Sequence, residues 1–85
     1  MRVIHKFHIN LTTNTVLEIP TNALTVHFAK QHEVLYAWIE LSPDDPTTSR
    51  TFRIFGTGMP IPEEWAWQGT CFDGPFVWHL YMEEM

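Results

Sequence analysis

Apolar and polar residues alternate with a period of two along most of this chain, the pattern of strands that bury one face and show the other. In the first such segment Val3, His5, Phe7 and Ile9 share one face, and Arg2, Ile4, Lys6 and His8 the other. Thr12 to Thr15 reads as a turn into a short strand, Val16 to Ile19, which Pro20 closes because proline cannot donate to a ladder. Leu24 to Lys30 divides into Leu24, Val26 and Phe28 against Thr25, His27 and Ala29, and Gln31-His32-Glu33 reverses the chain. The cleanest alternation is Val34 to Leu41, with Leu35, Ala37, Ile39 and Leu41 on an aliphatic face and Val34, Tyr36, Trp38 and Glu40 on an aromatic one.

Ser42 to Ser49 is polar and turn-rich, and Arg50 to Phe55 resumes the alternation, placing Phe52 and Ile54 opposite Thr51, Arg53 and Phe55. Gly56 to Pro62 holds two glycines and two prolines and is predicted to be irregular. At most Pro62 to Trp65 starts a single helical turn. A last hairpin, Trp67 to Phe72 and Phe76 to Glu83, is joined at Asp73-Gly74. The expected fold is all-β: a single domain over residues 1–85, a small antiparallel sandwich or barrel of about six to seven short strands.

Composition narrows what such a domain can do. Cys71 is the sole cysteine, so no intrachain disulfide supports a core of this size, and a reducing cytoplasm is the expected setting. Oligomerisation is the remaining support, and a homo-oligomer, most simply a dimer, is expected. No apolar run approaches the roughly 18 residues needed to cross a bilayer, and Met1 to Lys6 leads into a strand pattern rather than a signal peptide. A net charge of −5 opposes attraction to phosphate backbones and anionic membranes, so neither nucleic acid nor membrane is an expected partner.

The run Arg50-Thr51-Phe52-Arg53-Ile54-Phe55-Gly56-Thr57-Gly58-Met59-Pro60-Ile61-Pro62 is distinctive as a whole. With Ile4 to Phe7, Ile19-Pro20, Ala23, Leu35 to Trp38, Gly69-Thr70 and Val77 to His79, it resembles an uncharacterised family of small phage and prophage proteins, a domain of unknown function. Met59 stands where that motif has histidine, so no catalytic or metal role carries over to it. The resemblance implies a phage accessory gene, a class that often antagonises host defences.

Candidate chemistry is sparse. Gly56-Thr57-Gly58 could form a nest of backbone N–H groups for an anion, or be simply a turn; it fits neither dinucleotide nor P-loop spacing. Arg53 leads toward that loop and is the better phosphate or carboxylate clamp of the two arginines on its strand, unless its stem merely covers its neighbours. The histidines lack metal-ligand spacing, and no metal or cofactor is expected. Cys71 with His79 is a weak nucleophile–base pairing with no third group to orient it, so no catalytic residues are assigned and an enzyme is not expected.

The aromatic residues are the most informative. Tyr36, Trp38, Phe55 and Tyr81 lie opposite the aliphatic set, and Trp65 and Trp67 flank the irregular loop. This second layer must be buried by the other sheet, by another subunit or by a flat ligand. Arg53, Gly56, Thr57, Gly58, Trp65 and Trp67 are therefore the candidate ligand-binding residues, and Tyr36, Trp38, Phe55 and Tyr81 the candidate interface. The expected function is sequestration of a nucleotide-type small-molecule signal by a non-enzymatic, phage-encoded homo-oligomer acting against host defence in the host cytoplasm. The alternative is inhibition of a host defence enzyme by direct protein binding.

Overall fold

A computed structural model describes residues 1–84. They form seven strands, β1 (Val3–His8), β2 (Thr15–Pro20), β3 (Leu24–Gln31), β4 (Val34–Leu41), β5 (Thr47–Gly56), β6 (Trp65–Asp73) and β7 (Phe76–Glu83), with no helix among the described residues. All pairings are antiparallel, in a three-stranded sheet of order β1-β4-β3 and a four-stranded sheet of order β2-β5-β7-β6. The sandwich is the expected fold.

The aliphatic faces of the two sheets meet. Leu35, Ala37, Ile39 and Leu41 of β4 pack with Phe28, Ile19, Phe52, Ile54, Cys71 and Leu80, all under a tenth exposed. Ala37 pairs with Phe7 on one side and Phe28 on the other, so the smallest side chain of β4 makes room for two rings.

Two bulges decide which residues face where. In β3 the register shifts between Thr25 and His27, so Val26 is the extra residue; in β6 it shifts between Trp67 and Gly69, so Gln68 is. The expected common face of Leu24, Val26 and Phe28 is thereby broken: Leu24 pairs with Glu40 on the outside and is 58% exposed, while Phe28 faces the core. The two irregular stretches meet where β3 and β6 close one side of the sandwich, and there Thr25 Oγ1 donates to Gln68 Oε1 at 2.7 Å. A Cβ on Gly69 would lie 2.9 Å from the Cβ of Phe28, an approach only glycine permits. Lys30 bridges the same junction to Asp73 at 2.8 Å.

The reversals follow from backbone chemistry. His32 and Glu33, with φ of 52° and 67°, make a two-residue hairpin loop that needs positive φ at both positions. The last hairpin turns at Gly74-Pro75, one residue beyond the expected Asp73-Gly74, which puts Pro75 where no ladder N–H is required. β5 begins at Thr47 rather than Arg50, because Thr47, Thr48 and Ser49 find partners in Pro20, Ile19 and Glu18. Pro62 to Trp65 is a turn closed by Trp65 N donating to Pro62 O at 3.2 Å, and β6 starts there, two residues before the expected Trp67.

Candidate functional site

With the aliphatic set consumed by the core, the aromatic set faces outward on both sheets. On the outer face of the four-stranded sheet, cross-strand pairing aligns Trp67 with Tyr81 and Tyr81 with Arg53. The neighbouring row is Thr70, His79 and Phe55. Phe55 stands edge-on to Tyr81 at 5.5 Å and to Trp65 at 5.9 Å, and the Arg53 guanidinium lies 5.1 Å from its ring centre. Phe55 is thus 1% exposed: expected at an interface, it lies beneath this surface and has none of its own to offer. Trp67 is the reverse, a large ring on a sheet edge and 59% exposed.

The second row is tied by hydrogen bonds. Thr57 Oγ1 is 2.9 Å from His79 Nε2, Thr70 Oγ1 is 3.1 Å from His79 Nδ1, and Trp67 Nε1 donates to Thr70 Oγ1 at 3.0 Å. Trp67 and Thr70 are an odd number apart and share a face only because the bulge at Gln68 shifts the alternation.

The glycine loop is a tight turn. Met59 N donates to Gly56 O at 3.1 Å, Gly58 has φ of 92°, and the Gly56 amide donates to Met59 Sδ at 3.1 Å. The Gly56 amide is therefore already taken within the expected anion nest. Arg53 leans on Phe55, and among the described residues no hydrogen bond joins it to the loop. Arg53 and Gly56 line one hollow with Met59 and Trp78, whereas Thr57 lines another with Gly56 and Trp78. Open hollows of about 310 and 390 Å³ flank the loop on the two sides of Trp78.

Over residues 1–85 the chain matches the family described as "Domain of unknown function (DUF7352)". The chain belongs to this family. Among the curated proteins and the solved structures, none matches it. The family description assigns no chemistry, so the reading of this member rests on its side chains.

Of the remaining candidates, Tyr36 and Trp38 lie on the outer face of the other sheet. Lys6 Nζ sits 4.5 Å from the Tyr36 ring centre, and the His27 ring lies 5.4 Å from that of Trp38. Cys71 is buried in the core and pairs with Trp78, whereas His79 faces outward, so the Cys71–His79 pairing is excluded by direction. Among the described residues no three His, Cys, Asp or Glu side chains form a cluster able to hold a metal ion. His79 and Thr70 are the members of this face that sequence reading left out of the site. Their pairing across the last hairpin was predictable to within a residue, but their common face with Trp67 depends on the bulge.

Proposed function

We propose that this protein is a non-enzymatic binding module whose working surface is the outer face of the four-stranded sheet. A flat, anionic ligand of nucleotide type stacks against Trp67 and Tyr81, with Arg53 at its charged end. The observation that carries this reading is the single cross-strand row Trp67–Tyr81–Arg53, which places two aromatic residues and an arginine at neighbouring positions of one ladder. Ring faces accept any base, and a guanidinium matches phosphate geometry. An open sheet cannot enclose such a ligand as small-molecule sites do, and a second copy of the chain supplies the roof. The resemblance of the thirteen-residue run to phage proteins supports a counter-defence setting, with sequestration of a host signal as the outcome.

Calorimetric titration with cyclic nucleotides and ADP-ribose derivatives tests the reading. Trp67→Ala should abolish binding, and Arg53→Ala should weaken it by about 1.5–3 kcal/mol, the range for a hydrogen bond to a charged group. Light scattering should report a dimer.

Inhibition of a host enzyme by direct contact is the second reading, favoured by the exposure of Trp67, a residue type common among protein-interface anchors. A silent nucleotide panel, together with a host protein that co-purifies through Trp67, would replace the first reading with this one.

A further inference from the structure

His79 has a hydroxyl on each ring nitrogen: Thr57 at Nε2, 2.9 Å away, and Thr70 at Nδ1, 3.1 Å away. The donor inventory restricts how this line can be wired. An indole N–H only donates, and a hydroxyl has one proton and two lone pairs. Trp67 occupies one lone pair of Thr70. While His79 is neutral, one hydroxyl donates to its bare nitrogen and the other receives its N–H, so only one of the two O–H groups is free to point outward. Once the ring is protonated, both nitrogens donate, both hydroxyl oxygens become acceptors toward the ring, and both O–H groups turn away from it. Thr57 and Thr70 are exposed and His79 is half-buried, so those protons reach solvent on either side of a positive ring.

Two outward O–H groups on opposite edges of an imidazolium offer donors to an anion lying against the positive ring. We propose that Thr57, His79 and Thr70 form an anion subsite for a phosphate or carboxylate group, next to the Trp67 indole. The proposal deepens the binding reading and rests on the same face, but it can be tested without any nucleotide. From β5 the ring is faced by Phe55, with Arg53 in the adjoining row; from β6 by Thr70 and Trp67; and on β7 Tyr81 and then Glu83 follow on the same side. The ion pairs among the described residues involve Glu40, Glu33 and Asp73, so none joins a carboxylate to His79. Arg53 adds a second cation to the same face, suited to a ligand with more than one anionic group.

Sulfate is the probe, because it keeps its charge across the range in which imidazoles titrate. In a nitrogen–proton NMR titration at pH about 5.5, sulfate should saturably move the Thr57 and Thr70 amides and the Trp67 indole N–H. At pH about 7.5, where fewer imidazole rings carry a second proton, binding should be weaker. His79→Gln keeps hydrogen-bonding groups without the charge, and should lose the pH dependence and most of the affinity. Thr57→Val, which removes one donor at nearly constant volume, should weaken sulfate binding while leaving its pH dependence in place. The subsite is disproved if sulfate moves none of these resonances at the lower pH, or binds equally at both. Equal binding by His79→Gln and wild type would disprove it too, and Thr57→Val gives the same decision should His79→Gln not fold. Adenosine monophosphate separates the sources of the anion: binding tighter than sulfate means that a base stacks on Trp67. Equal binding would leave the anion subsite standing and count against the nucleotide reading.

Discussion

Tyr36 and Trp38 on one outer face and Trp67 on the other are similar rings on similar strands, yet they meet solvent differently. Tyr36 and Trp38 stand on β4, the central strand of its sheet, so each has a neighbour on both sides to lean over it. Lys6 covers Tyr36 and His27 lies against Trp38, leaving both rings only partly exposed. Trp67 stands on β6, an edge strand, with a neighbour on one side only. Its indole is held by Thr70 rather than covered, and it stays 59% exposed. An aromatic residue becomes a binding surface when its neighbours fix its position without hiding its faces.

The contrast can be broken from below or sharpened from above. The largest effect is expected from Phe55→Ala, which removes the buried ring supporting Trp65, Tyr81 and Arg53 and should cost about 3–5 kcal/mol in chemical denaturation. A loss below about 1 kcal/mol would mean that the four-stranded face does not depend on Phe55. Gly69→Ala drives a methyl group against Phe28 at the junction of the two sheets, with an expected cost of about 1–3 kcal/mol and a lowered melting temperature. Trp38→Ala and Trp67→Ala then form a matched pair. The first should cost about 1 kcal/mol of stability through lost burial and leave ligand binding intact. The second should change stability by under about 0.5 kcal/mol and remove binding. Reversed outcomes would exchange the roles of the two faces.

The smallest expected effect comes from the Lys30–Asp73 bridge. The hydrogen bond from Lys30, followed by that from the Trp78 indole, holds the Asp73 carboxyl below its ordinary range; the hydrogen bond to Asp73, then that to Glu33, raises Lys30. The contribution of Asp73 is therefore present above the unfolded carboxylate pKa and lost as pH falls through its lower folded value. That of Lys30 is present below the unfolded amine pKa and lost as pH rises through its higher folded value. Asp73→Asn should flatten the fall in melting temperature between pH about 5 and about 2.5. Parallel curves for variant and wild type would show that the bridge contributes nothing to stability.

Much of this organisation was legible as alternation. Leu35, Ala37, Ile39 and Leu41 could only be a core face, and Tyr36 and Trp38 could only oppose it, because side chains of an unbroken strand alternate strictly. The Cys71–His79 idea failed on that same logic, since residues paired to within one position across a hairpin can still point apart. In β3 and β6 the alternation misled. Nothing in Leu24-Thr25-Val26-His27 or Trp67-Gln68-Gly69-Thr70 marks the extra residue, because a bulge is selected by what lies opposite. Here that is the junction where Gly69 closes on Phe28 and Gln68 accepts from Thr25.

The sequence by itself determined an all-β fold of about six to seven strands, the inward face of β4 and the irregular stretch at the glycine loop, since each rests on local periodicity or on the backbone freedom of glycine and proline. Only the tertiary structure decided that Phe55 is buried while Trp67 is open, that the Arg53 guanidinium lies against the Phe55 ring, and that Thr57, His79, Thr70 and Trp67 form one line. These depend on strand order and on a one-residue shift of register, which are set by how the two sheets fit together over their common core.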